Sequence, residues 1–272
     1  MSLKSAGKET RRTFRLLRIF AAQHLKKLME YKIDFITGAV AFLVDQVVNL
    51  MFLTIIFGNV AHLRGWSYYE MLFIYGFSLF PKGIDHLFCD NLWNVGYWII
   101  RKGEFDKYLT RPINPLLTVT VEVFQVDAFG ELVVGIALML LSVSHLSLPF
   151  VWYDIPLALI AVLFGTLIYT SLKIIFASIA FWVKQSGHLV EMVYNMNGFS
   201  QYPTRIYSSV VRNAVTYVIP FAFTAFYPAS YLLRHESPLF CIGGTVAAGS
   251  VLFAVGLLIW NKGLTAYESA GS

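Results

Sequence analysis

The feature that most restricts what this chain can fold into is a set of long apolar runs, over residues 33–57, 155–183 and 239–260. A helix crosses the hydrocarbon core of a bilayer with about 20 such residues. Strands rarely exceed 10 residues, and a backbone in lipid must pair its own N–H and C=O groups, so runs of this length are read as spanning helices. Composition agrees. The chain is 57% hydrophobic and 14% charged, whereas a soluble domain carries about 25% charged residues. With 21 Lys and Arg and 16 Asp and Glu among 272 residues, no polar shell can be built around one core. The expected class is an all-α integral membrane protein.

Charge placement orients it. Nine of the 21 Lys and Arg lie within residues 1–32, against Glu9 and Glu30 alone. A basic patch can signal nucleic acid, but this one runs directly into an apolar segment, so the positive-inside rule accounts for it and no nucleic-acid partner is expected. Its charged stretch is too long for a cleaved signal peptide. Phe14, Leu17, Ala21, Leu25 and Leu28 recur on one helical stripe, flanked by Arg11, Arg15, Arg18 and Lys26. That pattern predicts an amphipathic interfacial helix on the cytoplasmic side of the bilayer, an anchor or a docking site for a cytoplasmic partner. Cys89 and Cys241 are too few and too far apart to argue a metal site or a disulfide framework.

The spans follow in order. The first covers 33–57 and the second roughly 68–88, with an outer loop containing His62, Arg64 and Trp66 between them. Residues 101–115 carry four basic and two acidic side chains and are assigned to the cytoplasm. The third span lies within 116–148, strongest at 132–141; the loop 149–154 has no Lys or Arg and is placed outside; the fourth covers 155–183. Hydropathy between Lys184 and Leu239 leaves two readings. Either 213–233 is the fifth crossing despite Pro220 and Pro228, or a short helix over 188–200 crosses first and the chain after Tyr202-Pro203 re-enters the outer leaflet. Both give six crossings, the last at 239–260, with both termini inside. The organisation is a basic helix (1–32), one transmembrane domain (33–262) and a short cytoplasmic tail (263–272). Glycines are too scattered to mark a dimerisation seam, Gly244 to Gly249 having the wrong spacing for GxxxG.

Motifs for catalysis are missing: no phosphate loop, no HExxH, no GxSxG and no GxGxxG. His86 and Asp90 stand one helical turn apart, a spacing better explained by a satisfied interfacial histidine than by an acid–base pair. Ionisable groups inside spans carry more weight, because each is expensive in lipid unless paired or wetted. Asp45 and Asn49 share a face of the first span, Lys82 and Asp85 are placed to pair with each other on the second, Asp127 and Glu131 lie on the third, and Lys173 lies within the fourth. A buried contact from Lys173 to a carboxylate of the first or third span is expected, either as cross-bracing or as part of a polar translocation path. An acidic lining would suit a cationic or amphipathic substrate.

Gly103-Glu104-Phe105-Asp106, then Tyr108-Leu109 and Arg111-Pro112-Ile113-Asn114-Pro115-Leu116, resemble a group of ABC transporter permeases, the six-span membrane subunits of the second exporter class. The likeness continues through Glu30-Tyr31-Lys32, Ala180-Phe181-Trp182, Tyr202-Pro203, Ile206-Tyr207, Tyr227-Pro228-Ala229 and Tyr267-Glu268-Ser269. Ser208 stands where such permeases are expected to carry proline, and Lys32 and Lys82 where Arg is common. The resemblance implies half of a dimeric pore in a bacterial inner membrane, formed with a second copy or a sister permease, and it favours the re-entrant reading of 202–233. It further implies a separate ATPase subunit that holds ATP and Mg, this chain binding no cofactor and catalysing nothing. That subunit would grip Gly103, Glu104, Phe105, Asp106, Leu109, Arg111 and Pro112. Gly103 would begin or stop a short helix there, and Pro112 and Pro115 would end it. Asp45, Asn49, Asp127, Glu131 and Lys173 are the candidates for the path itself. A stand-alone proton-coupled transporter is the alternative, disfavoured because no internal repeat is evident.

Overall fold

The protein is described by a computed structural model over residues 32–125 and 127–269. The interfacial helix expected over 1–32 therefore lies outside the described residues, save Lys32, where α1 begins. The described chain is helical: α1 (Lys32–Asn59), α2 (Tyr68–Cys89), α3 (Asn91–Asn94, running on as a π turn over Val95–Ile99), α4 (Asp106–Leu109), α5 (Pro115–Val121), α6 (Ala128–Val143), α7 (Asp154–Ser178), α8 (Ala180–Val183), α9 (Gly187–Asn195), α10 (Ser209–Asn213), α11 (Phe226–Arg234) and α12 (Gly244–Ala266). By length and composition three helices can cross a membrane, over Ile36–Asn59, Asp154–Val183 and Leu239–Ala266, or four if the bent pair Ser209–Val218 and Phe221–Arg234 is one span.

The bundle is built around α2. Ser67 caps this helix, its hydroxyl accepting from the Glu70 N–H while Glu70 accepts from the Ser67 N–H at 2.8 Å, which satisfies two of the donors a helix start leaves open. Despite Glu70, Lys82, Asp85 and His86, α2 is buried on most sides, because α6 and α7 cover it. The α2–α6 crossing is set by Gly76 and Gly135: a Cβ on either would come within about 3.1 Å of the other's carbonyl oxygen. Pro81 removes one rung from α2; Gly165 of α7 packs against its ring, and the Thr166 hydroxyl donates to its carbonyl at 3.3 Å.

The third predicted span is broken. It forms α5, an irregular stretch over 122–125, and α6, only 16 residues long. At about 1.5 Å per residue α6 reaches about 24 Å, short of the ~30 Å hydrocarbon core. The break is held from outside: the Gln125 N–H donates to the Leu87 carbonyl at 3.1 Å, one of the acceptors the end of α2 leaves unpaired.

Within the chain, three glycines line one helix contact. Gly249, Gly256 and Gly263 of α12 face Phe164, Ser171 with Ile174, and Phe181 in turn, so α12 lies along α7 and α8 in the same direction. Their seven-residue spacing puts all three on one stripe two turns apart.

Between Lys184 and Leu239 neither helix is long. Here α9 runs into a 3₁₀ turn (Met196–Gln201), and α10, with the π turn Ala214–Val218, meets Phe221–Arg234 at a 70° bend. The bend falls at Pro220, whose missing N–H cannot continue the ladder. His235 ends α11 in the left-handed conformation (φ 49°), its Nε2 3.2 Å from Asp154 of α7.

Candidate functional site

The sequence scatters ionisable residues over four predicted spans, and the packing of α2, α6 and α7 gathers most of them into one chain of contacts. Lys82 Nζ lies 3.1 Å from Glu131 Oε1, the same oxygen that His86 Nδ1 approaches at 3.4 Å. On its other side, His86 Nε2 is 3.2 Å from Asp90 Oδ2 and 3.8 Å from Asp127 Oδ2. Asp90 then meets Lys173 Nζ, which lies 2.7 Å from Asp85 Oδ2. The Thr170 hydroxyl donates to Asp85 Oδ1 at 2.8 Å. Lys173 also sits under the Tyr194 ring, 4.9 Å from its centroid.

The pairing differs from the sequence expectation in two respects and extends it in a third. Lys82 and Asp85 do not pair: three residues apart on α2, they diverge, Lys82 to α6 and Asp85 to α7. Lys173 does meet buried carboxylate, but from α2 and its end rather than from the first or third span. His86 and Asp90, read as a local interfacial pair, are the link between the two halves of the chain. The signal was present in the spacing, since Lys82, His86 and Asp90 recur every four residues and share one face. Asp85, Glu131 and Lys173 are essentially excluded from solvent, at 0%, 2% and 1%. Charges so buried persist only when compensated, and here each faces an opposite charge.

Asp45 and Asn49 do not join this cluster. Asp45 is exposed on α1, its Oδ2 accepting from Gln46 and Asn49 at 3.2 Å each. Gln46 in turn accepts from the buried Tyr75 hydroxyl of α2. Asn49 lines a narrow gap with Tyr75, Gln201 and Tyr202. Beyond it, a cleft of about 520 Å³ lies between the second half of α1 (Phe52, Ile56) and the segment carrying Asn195, Phe199, Tyr202 and Tyr207. It is aromatic and uncharged, unlike the acidic lining expected.

The 101–115 loop is the second feature. Gly103 takes φ 71°, a conformation that favours glycine, and turns the chain into the single helical turn of α4. That turn stops at Leu109, before either proline. Pro115 instead opens α5 behind Asn114, whose side chain accepts from the Leu116 N–H at 2.9 Å, the reverse of the terminating role expected for it.

Phe105 and Tyr108 point inward and are almost wholly buried. Phe105 packs edge-on against Phe181 (5.2 Å), Trp260 (5.9 Å) and Tyr267 (5.2 Å). The Tyr108 hydroxyl donates to Glu122, which also draws in Arg111 at 3.3 Å and Lys107 at 3.7 Å. Burial and then the Glu122 contact hold the Tyr108 hydroxyl above the usual phenol range. Asp106 accepts from Tyr267 at 3.0 Å and from Ser269. Burial, followed by donation to Asp106, pushes the Tyr267 hydroxyl up to about 12. Glu104, Lys107, Leu109 and Pro112, with Arg101 and Lys102, remain exposed.

Among the described residues no group of three or more His, Cys, Asp or Glu is arranged to hold a metal. No curated protein and no solved structure matches the chain. A family model does, covering residues 43–271 from within α1 to beyond α12. It is that of the ABC-2 family transporter proteins, and with the match extending over the charged core, the braced loop and the bent segment, the chain belongs to this family of multi-pass membrane permeases.

Proposed function

We propose that this protein is the membrane-spanning subunit of an ATP-driven exporter in the bacterial inner membrane, crossing six times with both termini in the cytoplasm. A separate ATPase subunit, carrying ATP and Mg, grips the 101–115 loop, and this chain itself catalyses nothing. It supplies half of the path, the other half coming from a second copy or a sister permease. The α1 side supports that pairing, since Asp45 lies exposed there among Val44, Val47 and Val48, and a carboxylate facing hydrocarbon is costly. The outer part of the path is the aromatic cleft beside Asn49, a lining that suits an uncharged or amphipathic substrate. In this reading the charged chain from Lys82 to Asp85 braces α2, α6 and α7.

The observation that carries the reading is the loop: exposed charges and Leu109 stand on inward-turned Phe105 and Tyr108, a stiff platform of the kind a motor subunit needs. The test is to solubilise the chain in mild detergent from its native membrane and identify what co-purifies, then repeat with Glu104→Arg and Leu109→Asp together. An ATPase subunit recovered with the native loop and lost with the altered one is expected. Equal recovery from both, or none after crosslinking, overturns the proposal.

A proton-coupled transporter would draw on the same buried carboxylates and His86. Transport that persists without any ATPase, and collapses with the proton gradient, would favour that reading.

A further inference from the structure

The 101–115 loop adjoins α3 and α5 in sequence, and Tyr108 ties it to Glu122 at the end of α5, yet two other specific contacts go elsewhere. Phe105 is fully buried, and three of the rings around it come from Phe181 of α8, Trp260 of α12 and Tyr267 just past α12. Those rings also pack on one another, Phe181 on Trp260 at 5.1 Å and on Tyr267 at 6.0 Å. Gly263 of α12 leaves room for this, because a Cβ there would meet the Phe181 ring at 2.3 Å. Asp106, next to Phe105, accepts hydroxyls from Tyr267 and Ser269. By contrast, the ion pairs that tie the loop to Glu122 at the end of α5 are partly exposed, with Lys107 and Arg111 side chains at 46% and 31%. Exposed ion pairs contribute little, whereas buried aromatic pairs stabilise beyond the area they bury.

We propose that Tyr267 and Ser269 are positioning residues for the ATPase-facing loop: by holding Asp106, and with the Phe105 ring in place, they fasten the loop to the paired helices α7–α8 and α12, so that a displacement of the loop moves those two helices with it. The inference rests on the permease reading above, and it reassigns Asp106 from a surface contact for the ATPase to an internal fastening point. The loop's outer residues remain free to meet the partner while its inner residues join helices that are distant in sequence.

The latch is tested by electron–electron distance measurement on the full chain in nanodiscs, with spin labels at Lys102→Cys on the loop and Thr265→Cys near the end of α12. Both positions are exposed, and native Cys89 and Cys241 are buried. Replacing Tyr267→Phe and Ser269→Ala together keeps the ring in the aromatic cluster and removes only the hydroxyl donors. The native chain is expected to give one narrow distance distribution, broadening about twofold in the double variant as the loop gains a local opening. Restoring a donor with Ser269→Thr, in the Tyr267→Phe background, is expected to recover part of the narrowing. A distribution equally narrow in the double variant, or equally broad in the native chain, overturns the latch, as does a Thr variant indistinguishable from the Ala one. The same pair is then measured with the co-purified ATPase subunit and ATP, where the native distance is expected to stay constant. If no ATPase co-purifies, the permease reading fails on its own evidence, while the measurement on the chain alone still decides the latch.

Discussion

Lys173 shows how one side chain can decide a membrane fold. Its ammonium is held by Asp85 and Asp90, and removing it would leave the Asp85 carboxylate without a cation at a nearly water-free position. Breaking a buried ion pair from one side costs about 3–5 kcal/mol, whereas exchanging both partners for apolar groups is often neutral. Lys173→Met is therefore expected to lower the thermal unfolding midpoint in detergent strongly, and Lys173→Met combined with Asp85→Leu to recover part of the loss; additive effects of the two substitutions would refute the pairing. At the loop, Phe105→Ala is expected to cost about 3–5 kcal/mol, the range for emptying a packed aromatic site. Since Phe105 has essentially no exposed surface, the loss should appear in the unfolding midpoint of the chain without any partner. The presence of these groups was legible in the sequence, because ionisable residues in apolar runs stand out. Their partners were not, since Lys82, with Asp85 one turn away, reaches Glu131 on another helix, and which one wins depends on where α6 and α7 pack.

Between elements, the α7–α12 contact is the clearest case of backbone geometry overruling hydropathy. A Cβ at Gly249 would lie 2.8 Å from the Phe164 carbonyl oxygen, a backbone atom that cannot turn aside, whereas at Gly58 of α1 nothing lies within 4 Å. Gly249→Leu is thus expected to lower stability by about 1–3 kcal/mol or more, as overpacking does, and Gly58→Ala to be neutral or mildly stabilising, as expected for replacing a helical glycine. Comparable effects at the two sites, measured by thermal unfolding of the purified chain, would show that the seam does not determine stability. The seven-residue repeat of Gly249, Gly256 and Gly263 is written in the sequence, though not at the four-residue spacing of GxxxG. The break between α5 and α6 had no such signal. Residues 116–148 are apolar enough to suggest one span, and the chain departs from it because Gln125 finds the Leu87 carbonyl and Asn91 donates to the Val119 carbonyl at 2.7 Å.

At the scale of the molecule, α1 stands apart. Its residues Val40, Leu43, Val44, Val47, Val48, Met51 and Ile55 are more than half exposed, and it meets the rest through a few contacts, among them Gly38 near Asp127, Phe42 on Gly130 and Gln46 to Tyr75. Lipid can cover the apolar part of this face but not Asp45. The purified chain is expected to run as a dimer by light scattering in mild detergent, and Asp45→Leu to leave its unfolding free energy within about 0.5 kcal/mol of native while abolishing transport by the assembled complex. A variant markedly more stable than native would place Asp45 against lipid instead. The sequence alone determined that the chain is helical, lies in a membrane and carries its loop charges at 101–115, because runs of apolar residues and blocks of basic ones act through local solvation and need no knowledge of neighbours. The tertiary structure decided which charges meet, where the predicted third and fifth spans break, and that Phe105 and Asp106 turn inward, because burial and pairing depend on the side chains that distant helices bring to the same place.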